Sequence, residues 1–69
     1  MKEIRRLIHD NMNILTSVNG FLDLALSEPD RATRYSHMMR ARKEIRRAIN
    51  IAQDLRMQIE AKANLYGED

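Results

Sequence analysis

The sequence lacks cysteine, so it can form neither a disulfide nor a thiolate metal site. It has only one proline and two glycines, and aromatic residues make up 4% of its 69 residues. No apolar run approaches the roughly 20 residues that a membrane-spanning helix requires, and the charged first residues do not resemble a signal peptide. We therefore expect a soluble, cytoplasmic chain that is neither a disulfide-linked scaffold nor a membrane span.

The residues that are abundant favour long helices. Hydrophobic residues make up 43% of the chain and charged residues 32%, mostly as alanine, leucine, isoleucine, methionine, arginine and glutamate. A chain this short buries only a limited core by itself and often depends on a partner. The composition predicts a single all-α domain over residues 1–69.

Helix 1 is predicted over about residues 2–27, because one face repeats in steps of three and four. That face consists of Ile4, Leu7, Asn11, Ile14, Val18, Phe21 and Ala25. It is widened by Ile8, Leu15, Leu22 and Leu26. Its polar member, Asn11, could be buried and fix the packing register, or it could lie near the rim in water.

A turn is predicted at residues 28–30, since Pro29 disfavours helical geometry at Glu28 and either Ser27 or Asp30 could cap the next helix. Helix 2 is predicted over about residues 31–64, with Gly67 as a stop. Its predicted seam consists of Met38, Ala41, Ile45, Ala48, Ala52, Leu55 and Ile59, broadened by Tyr35, Met39 and Ile49.

So short a link makes the two helices antiparallel neighbours, and the expected fold is an antiparallel two-helix hairpin. Both apolar faces are wider than one neighbouring helix would cover. We therefore expect two hairpins to close a four-helix bundle as a symmetric homodimer.

A polar stripe runs along another side of helix 1 and consists of His9, Asn13, Thr16 and Gly20. The same spacing by three and four places these residues on one side, well away from the centre of the apolar face. We expect His9 to face water or a partner, with Asp10 next to it in sequence and Asn13 one turn on. Gly20 could permit the close approach of a partner or could be a small residue that the helix tolerates.

The stripe belongs to a longer motif that resembles the phosphoacceptor box of sensor histidine kinases in two-component signalling. The motif reads His9-Asp10-x-x-Asn13-Ile14-Leu15-Thr16-x-Val18-x-Gly20-Phe21-x-Asp23-Leu24-Ala25-Leu26. The resemblance covers helix 1 closely and helix 2 only in its general character. It departs from the usual pattern at Asn11, where the family has Phe or Leu, and at Met12, where it has Asn.

The resemblance implies a role for each residue of the stripe. His9 would be the phosphoacceptor, because imidazole is a suitable nucleophile near neutral pH. Asp10 would act as general base and orienting group, and Asn13 would position the phosphoryl group or a water. Thr16 and Gly20 would contribute to the docking of partners.

The resemblance also implies the partners. His9 would receive phosphate from ATP held with Mg²⁺ by a separate ATP-binding domain, and would pass it to an aspartate in a response-regulator receiver domain. We expect no cofactor or metal on this chain, which has no nucleotide-binding motif and would be an incomplete kinase by itself. The full-length protein could carry a membrane anchor in other segments.

Two other functions remain open. The chain could be a stand-alone helical hairpin that regulates a kinase or receiver domain without phosphotransfer. It could also be a nucleic-acid-binding dimer, since the net charge is +2 and five cations cluster in helix 2. They are Arg40, Arg42, Lys43, Arg46 and Arg47. A solvated helix face is the favoured reading of this cluster, because Glu44 interrupts it and aromatic residues are scarce. His37 is expected to be a surface or flank residue and not a metal ligand.

Overall fold

The fold is a hairpin of two long helices. The structure is a computed structural model that describes residues 2–65. Helix α1 spans Lys2–Ser27 and helix α2 spans Arg31–Leu65. The two helices pack along their length in a body of 56 × 17 × 13 Å. The predicted all-α two-helix hairpin is confirmed. The stop predicted at Gly67 lies outside the described residues.

The inner face of α1 is the one that the spacing predicts. Leu7, Ile14, Val18 and Ala25 are buried. The remaining predicted members, Ile4, Asn11 and Phe21, are half-buried. Burial of one residue in every three or four along the helix therefore confirms this face, and it places α1 against α2 over its whole length.

The predicted seam of α2 is wrong in four of its seven members. Ala41 and Ala48 are buried, with 1% and 6% of their surface exposed, and Leu55 is half-buried. The other predicted members, Met38, Ile45, Ala52 and Ile59, are exposed. The predicted series combined residues from two stripes of α2. Ala41, Ala48 and Leu55 are seven residues apart and lie on the inner side. The four exposed members are also seven residues apart and lie on the neighbouring side.

The true inner face of α2 is largely polar, which is why apolar spacing does not reveal it. Besides the two alanines it contains seven half-buried side chains that follow the same spacing. They are Arg34, His37, Glu44, Ile51, Leu55, Gln58 and Lys62. Long charged side chains can cover apolar surface with their aliphatic stems while the charged ends stay in water. A face of this kind can thus pack against α1 without being apolar.

His37 and Asn11 are both part of the seam between the helices. His37 is half-buried, which places it at the flank of the seam and not on the open surface. Its Nδ1 and the Oδ1 of Asn11 are each shielded from solvent, with no hydrogen-bond partner among the described residues. Of the two alternatives for Asn11, the structure shows the one inside the seam.

A second apolar surface lies beside the seam, and we name it the outer apolar face. It consists of Ile8, Leu15 and Leu22 of α1 and of Met38, Ile45, Ala52 and Ile59 of α2. Each member follows directly after a seam residue. Because a two-fold axis relates the helices of an antiparallel pair, equivalent positions lie on the same side of the hairpin. Its six large members are 40–50% exposed.

Asp30 caps the start of α2. Its Oδ2 accepts hydrogen bonds from the backbone amide of Thr33, at 2.9 Å, and from the Thr33 hydroxyl, at 2.7 Å. Its carbonyl accepts the first bond of the helix from the amide of Arg34, at 2.9 Å. The Ser27 hydroxyl instead donates to the carbonyl of Asp23 in its own helix, so Asp30 is the cap.

The cap makes the stability of α2 depend on pH. The hydrogen bonds donated by the Thr33 hydroxyl and amide hold the pKa of the Asp30 carboxyl below its ordinary value. A lowered pKa contributes stability at neutral pH that is lost as the pH falls from about 4 through the lowered value.

We expect Asp30→Ser to remove this dependence, since serine caps a helix without a titrating group. The melting temperature of both proteins, followed by circular dichroism, should fall on acidification as other carboxylates titrate. The fall should be smaller in Asp30→Ser. Equal falls in the two proteins would contradict the role of the Asp30 carboxylate.

Candidate functional site

The candidate site is formed by His9 and Asn13, which are exposed on α1 one turn apart. The side-chain amide nitrogen of Asn13 lies 3.2 Å from Nε2 of His9. Residues four apart on a helix are direct neighbours on its surface, so the helix itself holds the pair together. The polar stripe predicted from the sequence therefore contains a hydrogen-bonded pair at the motif histidine.

This contact is compatible with one tautomer of the neutral His9 ring. When the side-chain amide of Asn13 donates, Nε2 is the acceptor. In this arrangement the proton of the neutral imidazole is on Nδ1. The nucleophilic lone pair is thus on Nε2, the ring nitrogen that Asn13 contacts.

The Asp10 carboxylate does not join this pair. Within residues 2–65 no hydrogen bond or ion pair connects Asp10 to His9. Successive residues of a helix point about 100° apart, and Asp10 is accordingly half-buried beside the seam while His9 is exposed. The orienting role of Asp10 remains a prediction that would require its side chain to turn toward the imidazole.

Positive charge lies one turn before His9. Arg6 shares the polar side of α1 and binds both carboxylate oxygens of Glu3, at 2.8 and 3.0 Å. The hydrogen bond and charge of Glu3, with a smaller contribution from the charge of Asp10, raise the pKa of Arg6. The guanidinium is therefore a permanent cation near the imidazole, although Glu3 balances its charge.

Thr16 and Gly20 continue the stripe toward the turn. The hydroxyl of Thr16 donates to the backbone carbonyl of Met12 at 3.0 Å, so its hydrogen is used within the helix. Space is open around Gly20, where an added Cβ would meet no atom within 4 Å. The hairpin alone does not require a glycine at this position.

Metal and membrane sites are not seen in the part of the chain that the structure describes. Over residues 2–65 no three histidine or acidic side chains come together as a metal site would require. Neither α1 nor α2 is long and apolar enough to cross a membrane.

No protein-family model matches this chain, and no curated protein or solved structure matches it either. The fold and the local geometry are therefore the observations from which a function has to be argued.

Two features of the surface were missed by sequence reasoning. The apolar residues at 8, 15 and 22 were treated as a widening of the inner face, although their spacing of seven marks a stripe of its own. The face of α2 that packs on α1 was missed because its members are mostly polar. In both cases the sequence contains two series of residues that each repeat every seven positions, and one series follows the other by a single residue. That offset was the signal that separates the two sides of a helix.

The open space at Gly20 gives a direct test of its role. We expect Gly20→Ala to stabilise the isolated chain by about 1 kcal/mol, because alanine is the better helix former and meets no neighbour. Chemical denaturation followed by circular dichroism measures this, with Asn19→Ala as a control for helix propensity nearby. A loss of stability in Gly20→Ala alone would show that the position is crowded in solution.

Proposed function

We propose that this chain is the dimerisation and phosphoacceptor module of a two-component sensor histidine kinase, with His9 as the acceptor. The observation that carries the proposal is the exposed imidazole of His9, whose Nε2 lies 3.2 Å from the side-chain amide nitrogen of Asn13. This pair occurs within the motif that resembles the phosphoacceptor box. The proposal gives a chemical use to a stripe that the hairpin does not need for folding.

The first chemical step would be attack by Nε2 of His9 on the terminal phosphorus of ATP. The new N–P bond forms as the bond to the bridging oxygen breaks, and that electron pair leaves on ADP. Such a transfer needs mainly alignment and neutralisation of charge. ATP would be supplied by a separate domain, which reaches His9 from the solvent side.

Asn13 would exchange one acceptor for another during this step. Its amide donates to Nε2 at 3.2 Å in the free chain, so this bond must break before the lone pair can attack. The same N–H group can then donate to an oxygen of the transferred phosphoryl group. Asp10 would accept the Nδ1 proton or stabilise the charge that develops on the ring.

The second step would return the imidazole to its starting state. A carboxylate oxygen of a receiver aspartate attacks the phosphorus, the N–P bond breaks, and its electron pair returns to Nε2. Where Asp10 had accepted the Nδ1 proton, it returns that proton to the ring, so the neutral imidazole is restored. Both partners need access to the same atom in turn. The exposure of the polar stripe allows this, since neither the seam nor the outer apolar face includes it.

The outer apolar face supports the dimer that this function requires. Seven apolar residues from both helices lie on one side of the hairpin, where Arg42 and Arg56 are interspersed among those of α2, and large exposed apolar patches often mark interaction surfaces. A second copy is the occupant that fits, because the face is self-complementary about a two-fold axis. His9 is rotated by about 100° from Ile8 and would stay in contact with water.

We expect the chain to sediment as a dimer at about twice its mass of 8.1 kDa. The double variant Leu15→Glu/Ile45→Glu should be a monomer, since four carboxylates would be buried in the dimer interface. A matched control, Leu24→Glu/Met57→Glu, adds the same charge at exposed apolar residues that directly precede seam residues and so lie off this face. A monomeric wild type, or equal dissociation of the control, would contradict self-association through this face.

Phosphotransfer is tested by loading the purified chain with a small phosphoramidate donor and adding receiver domains from the same source. We expect acid-labile phosphate on the chain and its transfer to a receiver aspartate. His9→Ala should abolish both, because it removes Nε2, and His37→Gln should retain both. Phosphate is followed by mass spectrometry and by phosphorus NMR.

The same experiment distinguishes the regulatory hairpin from the phosphoacceptor. If receivers bind the chain but accept no phosphate, and if His9→Ala binds them equally well, the hairpin acts as a binding partner only. Loading that persists in His9→Ala would contradict the proposed acceptor. The fold and the dimer would stand in either case.

A further inference from the structure

A groove on the outer side of α2 is lined by cations and has a methionine in it. The groove encloses about 520 Å³ and is formed by Ser36, Met39, Arg40, Arg42, Lys43 and Arg46. We name these six residues the basic groove. It belongs to α2, whereas the His9 stripe lies on α1.

The cations of the basic groove have no carboxylate partners among the described residues. The ion pairs within residues 2–65 are those of Arg6, Arg47 and Arg56. Arg47 is next to the groove, and its guanidinium lies 2.9 Å from a carboxylate oxygen of Glu44. A cation in this part of α2 can therefore be paired within the helix. The four groove cations are left unbalanced.

This arrangement opposes helix stability. Arg42 and Arg46 are four residues apart, and Lys43 is three residues from both Arg40 and Arg46, so each pair repels across one turn. The groove lies in the N-terminal half of α2, away from the C-terminal end where the helix dipole would stabilise cations. A cluster that weakens its own helix is explained if a partner supplies the opposite charge.

The chemistry of the groove favours a protein over a nucleic acid. Met39 contributes an apolar, adaptable surface between the cations, and methionine is common at surfaces that bind amphipathic helices. No aromatic side chain lines the groove, so bases would have no stacking platform. The cations repeat every three or four residues, which a helix with acidic residues one turn apart can match.

We propose that the basic groove docks an acidic amphipathic helix of a partner protein. Glutamate or aspartate side chains of that helix pair with Arg40, Lys43 and Arg46, and an apolar side chain packs on Met39. This docking is independent of phosphoryl transfer, since it involves neither His9 nor the polar stripe of α1.

The test uses the full chain and a synthetic helical peptide with glutamates four residues apart and leucines on the adjoining face. A scrambled peptide of the same composition is the first control. We expect Lys43→Gln/Arg46→Gln to weaken binding of the helical peptide about fivefold or more, since each exposed ion pair contributes little. The pair Arg5→Gln/Arg31→Gln lowers the net charge equally, from +2 to 0, and should bind like the wild type.

Methyl NMR locates the contact. The methyl resonance of Met39 should shift on addition of the peptide, and that of Met57, which is exposed elsewhere on α2, should not. His9→Ala should bind the peptide unchanged, so failure of this proposal is distinguishable from failure of phosphotransfer.

Three results would overturn the proposal. Equal binding of the scrambled peptide would show attraction of net charge without a groove, as would equal weakening in Arg5→Gln/Arg31→Gln. A DNA duplex that binds more tightly than the peptide, and that loses affinity in Lys43→Gln/Arg46→Gln, would identify a nucleic-acid surface instead.

Discussion

Two helices that face only each other can bury only one stripe apiece, and this constraint governs the whole molecule. The central cluster consists of Ile14, Val18, Ala41 and Ala48, with Phe21 and Ile51 packed against it. The two alanines let the helices approach closely, but they add little apolar area to the core. Apolar side chains that do not face the other helix must stay on the surface or be covered by a partner. The outer apolar face is the direct result.

Local features could be predicted from the sequence because they depend on near neighbours in the chain. The turn at Pro29 and the cap at Asp30 follow from backbone sterics and from side-chain hydrogen bonding, and both are present. The inner face of α1 was also predictable, since its apolar residues form one series. The rotation of α2 was not, because Ala41 and Ile45 belong to different sides although they continue the same spacing.

The pairing of His9 with Asn13 was predictable from the sequence, because it depends only on the predicted helix α1. Four-residue spacing brings His9 and Asn13 together on any helix, and the structure shows their hydrogen bond. The position of Asp10 depends on a side-chain rotation that sequence spacing does not determine. The five cations of α2 are exposed, as a solvated face requires, and only the ion pairs seen in the structure show that four of them have no carboxylate partner among the described residues.

The smallness of the central cluster also determines how the protein responds to temperature. The heat-capacity change of unfolding is set mainly by the apolar surface that becomes exposed, and this hairpin hides little of it. A small heat-capacity change gives a flat curve of unfolding free energy against temperature. For a hairpin by itself the curve is shallow, with a broad maximum and no sharp loss of order on cooling. If a partner covered the outer apolar face, unfolding would expose more apolar surface and the curve of unfolding free energy against temperature would be more strongly curved. Calorimetry would then detect assembly as a larger heat-capacity change as well as a larger free energy of unfolding.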